Sequence, residues 1–265
     1  MVDQFWDIVS WMVEQDNLSE KSKPLCLITG VGDGTGSALV ARFSKNYIVA
    51  MIARNPDRLR KLSQRHDDCH AFPCDLANLD ALADTLDQIK KQLGPVKVLI
   101  HNAVAHTFGT FLDEDPAELE KNFRVNTTAL LHLARYVSPN MIADGGGSIM
   151  VTGNTASYRG VANYALFAPT KSAQRILCEA LARDLGPKRV HVGYVSMDGA
   201  IDVTWIEEAD GENPKWLDPP EDWPHPREDY FISTAAIADE VYHMAHQHRT
   251  AWSFETTIRP FAENW

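Results

Sequence analysis

The chain has little cysteine and no long apolar run. Its four cysteines, Cys26, Cys69, Cys74 and Cys178, form no C-x-x-C pair, which removes the common zinc and dithiol-redox signatures. Cys26 and Cys178 lie in apolar runs and read as small core residues. Nothing demands a bridge between Cys69 and Cys74, so reduced thiols in a cytoplasmic protein are expected. No stretch approaches the ~20 apolar residues that span a bilayer. Positive charge is scarce as well. With 25 Lys and Arg against 36 Asp and Glu, the formal net charge is −11, which disfavours nucleic acid and membranes as partners. The N-terminus carries Asp3 and Asp7 in place of a basic region and has no signal-peptide core, so export is not expected. The absence of a G-x-S-x-G elbow weighs against a serine hydrolase.

What is present begins at Leu25–Gly36. An apolar run turns abruptly into glycines, and a helical pattern (Ala38, Leu39, Val40, Phe43) follows from Ser37. Strand, tight turn and helix start in that order read as a nucleotide-phosphate site. Glycine lets the backbone approach the ligand, and free N–H groups at the helix start attract an anion. The alternative is a turn that only needs glycine.

Around this turn the chain alternates strands and helices. Strands are expected at Tyr47–Ala53, His70–Cys74, Val96–Ile100, Ser148–Thr152 and Val190–Val195, with long helices over Ala117–Met141 and Tyr164–Leu185. The alternating Trp252–Thr256 reads as an edge strand. This pattern implies α/β architecture, a single Rossmann-type, doubly wound, mostly parallel sheet with helices on both faces. Residues 1–23 read as an amphipathic arm (Phe5, Ile8, Val9, Met12, Val13) and linker, packed on its own domain or docked elsewhere. Residues 24–265 form the domain. Within it, 205–230 holds Trp205, Trp216, Trp223 and five prolines, an irregular acidic stretch read as a substrate lid.

The ordered motifs then agree. Thr29-Gly30, Gly34 and Gly36 fit T-G-x-x-x-G-x-G, Asn102-Ala103 begins an N-A-G motif, Asn126 follows Phe-Arg-Val, and Lys171 fits Y-x-x-x-K. Over nearly all of Pro24 to Trp265 the chain resembles the short-chain dehydrogenase/reductase family. The resemblance implies a dinucleotide held by Gly30, Gly32, Asp33, Gly34, Thr35, Gly36, Arg54, Asp75, Leu76, Asn102, Ala103, Lys171, Gly199 and Ile201. It implies that Asn126 and Lys171 belong to a proton relay in which the asparagine holds a water. It also implies a homodimer or homotetramer joined through the two long helices, acting on a small molecule.

Two departures stand out. The family's tyrosine, four residues before the lysine, is Phe167, and its serine falls on Asn154. A positioned general acid contributes about 10²–10⁴-fold in rate, and phenylalanine has no proton to give. Asn154 and Thr155 can still donate hydrogen bonds to a reacting oxygen. Tyr164 and Tyr158 are candidate substitute phenols, Tyr164 only if the helix already includes it. Val104 and Asp198 also replace usual residues.

Arg54 ends the second strand, where an acidic residue would read the ribose 2′-hydroxyl and an arginine a 2′-phosphate. With Arg58 a turn later, NADP(H) is preferred over NAD(H), and Asp33 is the opposing charge. A solvated arginine capping a strand is the plainer reading. His243, His246 and His248 form H-x-x-H-x-H on the last helix, a weak metal pattern set against solvated histidines, and no metal is expected. His101 and His106 flank the expected mouth of the site, as substrate contacts or as plain loop residues. The leading reading is an NADP(H)-dependent oxidoreductase; the other is a dinucleotide-binding sensor or subunit whose catalysis is impaired.

Overall fold

Leu25–Thr29 (β1) is buried at every position, because strands pair with it on both edges and helices cover both faces. The computed structural model describes residues 23–201, 219 and 222–262. The amphipathic arm, and the lid stretch except for 219 and 222–230, lie outside the described residues.

The elements follow in alternation: α1 (Thr35–Phe43), β2 (Ile48–Ala53), α2 (Pro56–Arg65), β3 (Cys69–Pro73), α3 (Leu79–Leu93) and β4 (Val96–His101). Next come α4 (Ala117–Phe123), α5 (Ala129–Ala143), β5 (Gly147–Asn154), α6 (Ala168–Leu185), β6 (Val190–Met197) and the short β7 (Ala200–Ile201). After the lid stretch lie β8 (Phe231–Ile232), α7 (Thr234–Ala245) and β9 (Glu255–Ile258). Seven strands form one sheet in the order β3-β2-β1-β4-β5-β6-β9, and every pairing is parallel. The chain leaves β1 in one direction to β2 and β3, then returns to β4 on the other side. This reversal opens a crevice at the carboxyl ends of β1 and β4, where doubly wound sheets bind ligands.

The two core clusters correspond to the sheet's two faces. One takes Leu39, Val40 and Phe43 of α1, Leu59 of α2, and Ile237 and Val241 of α7. The other takes Leu82 and Leu86 of α3, Leu130 and Leu133 of α5, and Cys178 of α6. Each fully buried large side chain contributes about 1.5–3 kcal/mol. Three helices begin at side-chain caps: Asn55 accepts from Asp57 N and Arg58 N, and Asn78 from Ala81 N, all at 3.0 Å, and Ser233 accepts from Ala236 N at 3.5 Å. Among the described residues no helix is long and apolar enough to cross a membrane.

Three elements differ from the sequence reading by more than two residues. The helix expected over Ala117–Met141 is broken by a π turn, Arg124–Thr128, centred on Asn126; such turns often mark functional positions. The helix expected from Tyr164 begins at Ala168. Pro169 explains this: it fits a helix's first turn, but further inside a helix its ring would strike the carbonyl of Ala165. The edge strand is Glu255–Ile258, displaced from Trp252, whose ring stacks on His191 at 4.8 Å. All four cysteines are buried and free.

Candidate active site

The glycine turn packs directly against the end of β4. Gly30 has φ +73°, and a Cβ there would lie 2.3 Å from Ala103 Cα, so any larger residue would push the turn away. A Cβ on Gly36 would meet Gly30 O at 2.7 Å, whereas Gly32 has nothing within 4 Å and faces open space. Gly34 precedes α1 with no side-chain cap, and no acidic residue lies in the first turn. Thr35 opens the helix, and its neighbour Ser37 returns its hydroxyl to Asp33 O and Gly34 O at 2.6 and 2.8 Å. The N–H groups at this helix start are thus left for a ligand. This cradle fits the pyrophosphate of a dinucleotide.

Asn102 holds the turn in place. Its Nδ2 donates to Gly30 O at 2.9 Å, and its Oδ1 accepts from Thr152 Oγ1 at 2.9 Å. Ala103 is buried beneath. Arg54, at the end of β2, is exposed. Asp33 does not point freely into the cradle: its Oδ2 accepts from Arg58 Nε at 2.7 Å. Asp75 is exposed and closes a turn, accepting from Ala77 N at 3.0 Å, while Leu76 is buried. Gly199, with φ +153°, leads into β7, where Ile201 pairs with Ile232 of β8.

Lys171 lies deep in the site at 2% exposure. Its Nζ donates to Thr152 O at 3.3 Å and to Gln174 Oε1. Thr152 thereby links the lysine, through Asn102, to the glycine turn. Burial pulls the Lys171 ammonium down to about 8. Asn126 is also fully buried. Its side chain clamps Ala105, accepting from Ala105 N at 2.9 Å and donating to Ala105 O at 2.8 Å, and it donates to Thr170 Oγ1 at 2.8 Å. The π turn is what lets one side chain serve both the loop after β4 and α6.

Phe167 precedes α6 and is 3% exposed. It forms an aromatic cluster with Phe108 (5.3 Å), Tyr164 (6.0 Å) and His106 (6.4 Å between ring centroids). His106 stacks on Phe108 at 5.0 Å, and burial lowers its pKa. The position that would supply the proton is an apolar wall.

The family model described as short chain dehydrogenase matches residues 24–213. The chain belongs to that family. Among its relatives are D-erythrulose reductase of Gallus gallus, 31% identical over 172 residues, covering 64% of this chain and 68% of that one. L-xylulose reductase of Mesocricetus auratus is 29% identical over 195 residues, covering 73% and 75%. Among solved structures, L-sorbose reductase from Gluconobacter frateurii, complexed with NADPH and L-sorbose, superposes with TM-score 0.76 at 19% identity, covering 90% of this chain and 96% of that one. A metagenomic short-chain oxidoreductase in complex with NADP gives 0.74 at 24%, covering 91% and 99%.

In this fold Lys171, Asn126 and the glycine cradle come together, Tyr164 packs beside Phe167, and Tyr158 is held away by Glu255. Tyr158 is exposed and donates to Glu255 Oε1. Arg175 grips the same carboxylate, Nη2 to Oε2 at 2.7 Å. Burial raises the Glu255 pKa, but the hydrogen bonds from Arg175 and Tyr158 hold it below the usual value. Tyr158 is therefore tied to the β9 edge. Tyr164 lies in the turn before α6, outside the helix, with its ring 4.7 Å from Phe108. Asn154 Oδ1 is buried without a hydrogen-bond partner among the described residues. Thr155 opens a 3₁₀ turn whose carbonyl accepts from Tyr158 N at 3.0 Å.

His101 differs from expectation. It is 0% exposed, with Nδ1 3.0 Å from Thr29 Oγ1, so it sits inside the sheet and not at the mouth. Burial, and then the neighbouring Lys171 charge, push it down to about 3. His106 does lie among the aromatics. His246 is occupied by Tyr47 Oη at 2.8 Å and Tyr242 O at 2.6 Å, which leaves neither ring nitrogen for a metal. Two residues went unread in the sequence. Gln174, three positions after Lys171, was signalled only by a polar side chain on the lysine's own helix face. Phe108, one turn of loop beyond His106, carried no local signal.

Proposed function

We propose that the protein is an NADP(H)-dependent oxidoreductase that reduces a small carbonyl compound or oxidises the corresponding alcohol. The observation that carries this reading is the hydrogen-bonded line Lys171–Thr152–Asn102–Gly30, which couples a buried cation to the phosphate cradle. The reductase relatives, and the NADP and NADPH complexes of fold neighbours, support it. Preference for the 2′-phosphate rests on exposed Arg54 and on Arg58, which already neutralises Asp33.

The bound dinucleotide supplies or takes the hydride. Around it, Gly30–Gly36 hold the pyrophosphate, and Arg54 and Arg58 face the adenosine ribose. Asp75 and Leu76 line the adenine side, Asn102 and Ala103 support the turn, and Gly199 and Ile201 border the nicotinamide end. Lys171 holds the nicotinamide ribose. Asn154 and Thr155 donate hydrogen bonds to the substrate oxygen, and Phe167 with Phe108 excludes water from one side. Since Phe167 gives no proton, the alkoxide takes its proton from a solvent water, which leaves as hydroxide.

Four buried thiols suit a reducing, cytoplasmic setting. Exposed Leu131 and Ile142 on α5 and Ile176 on α6 suit a homo-oligomer joined through these helices.

Phe167 in place of a phenol favours one second reading, a dinucleotide sensor or subunit. Titration with NADPH and NADH, followed by NADPH absorbance with aldehydes, ketones and enones, separates the two. Turnover above the cofactor's own decay supports the enzyme. Tight binding with no turnover across the panel supports the sensor, and tighter NADH than NADPH binding overturns the cofactor preference.

A further inference from the structure

Lys171 has three N–H donors and no carboxylate partner among the described residues. Its surroundings are uncharged. Thr152 offers a carbonyl from β5, His101 a neutral imidazole from β4, and Cys178 a neutral thiol from α6 itself, while Asn126 lies across in the π turn. Burial pushes the Cys178 thiol up to about 12, so it is no counter-ion. Something must still steady a buried ammonium, because desolvation penalises the charged form.

Gln174 occupies that place. It is 0% exposed on α6, one turn beyond Lys171. Its Oε1 accepts from Lys171 Nζ, and its Nε2 donates to Asn126 O at 2.6 Å. The amide's orientation follows from its partners. An ammonium only donates and a main-chain carbonyl only accepts, so oxygen must face the lysine and nitrogen the carbonyl. A glutamine that merely filled space would not be bonded at both ends, and here each end meets a separate segment of the chain.

We propose that Gln174 is a positioning residue that anchors the Lys171 ammonium to the π turn and keeps it charged within the buried site. With Thr152 O taking a second donor, one N–H remains for a ligand; that this ligand is the nicotinamide ribose rests on the function proposed above. The anchor also closes the inner side. An amide accepts through oxygen and donates through nitrogen without readily passing a proton between them, so no proton route leads inward from Lys171 through Gln174.

The test needs no cofactor. Lysine side-chain NMR on the full chain follows the Lys171 resonance against pH, assigned by its loss in Lys171→Met. The expected result is a titration midpoint that falls by about one pH unit or more in Gln174→Leu, a tenfold or greater change in the acid constant, and rises in Gln174→Glu. Should Gln174→Leu fail to fold, Gln174→Met and Gln174→Glu carry the comparison. Folded variants with an unmoved midpoint overturn the proposal. NADPH affinity across the same pH range is measured in parallel and is expected to weaken at the same midpoint. If NADPH binds wild type at no pH, the function proposed above fails while the NMR result still decides the role of Gln174.

Discussion

Arg58 Nε lies 2.7 Å from Asp33 Oδ2, so the acid inside the glycine turn faces a guanidinium instead of repelling an anion there. A surface ion pair of this kind contributes little to stability, about 0–1 kcal/mol. Its consequence is for specificity. Arg54→Ala is expected to weaken NADPH binding about tenfold or more while leaving NADH within a fewfold. Asp33→Asn is expected to leave NADPH binding equal or tighter. Fluorescence titration of both cofactors checks this, and equal losses for NADPH and NADH in Arg54→Ala would remove the arginine from 2′-phosphate recognition.

Phe167→Tyr adds one hydroxyl at the position where the family keeps its acid. Restoring a positioned phenol near Lys171 is expected to raise carbonyl reduction by about 10²-fold or more. The comparison is kcat/KM for the best substrate of the panel, with NADPH affinity as the control. An unchanged rate with intact cofactor binding would show that the chemistry does not pass through this position.

Asn126→Ala removes three hydrogen bonds between the π turn, the loop after β4 and α6, and leaves Ala105 N and O unpaired. The expected cost is about 2–4 kcal/mol, since a stranded buried partner loses its solvation as well as its bond. Urea unfolding measures it. A loss below about 1 kcal/mol would mean that the loop relaxes to solvent.

His101 gives stability a pH dependence of known sign. In the unfolded chain it takes a proton as pH falls through 6.5, whereas the folded site resists protonation down to about 3. Its contribution is therefore fully present above 6.5 and is lost as pH falls through that window. The limiting slope is about 1.4 kcal/mol per pH unit. The expected result is that His101→Asn loses less stability than wild type between neutral pH and the acid end of this window. Parallel stability–pH curves for the two would contradict it.

The parts of the fold that depend on local chemistry were legible in the sequence. The run Leu25–Gly36 announced strand, turn and helix. Apolar strands without alternation announced a sheet covered on both faces. The rest depends on tertiary placement or on where proline can sit in a helix. Pro169 already limited the start of α6 and so removed Tyr164 from the helix. His101 looked like a mouth residue because it ends a strand, yet Thr29 and the sheet enclose it. Gln174 was visible as a polar residue three after Lys171, but its second partner, Asn126 O, lies 48 positions away in the chain. The π turn had no sequence signature; Asn126 at its centre bonds Ala105, 21 positions away.

In the proposed reaction hydride moves between the nicotinamide and a bound carbonyl with Phe167 at the position of the family's tyrosine. The most direct measurement uses NADPH deuterated at the transferring position of its nicotinamide, incubated with the protein and carbonyl panel, with products read by mass spectrometry. The expected result is deuterium on the carbonyl carbon of at least one product, with the signal lost in Lys171→Met. NADPH bound tightly by the wild type, with no deuterium in any product, would contradict it.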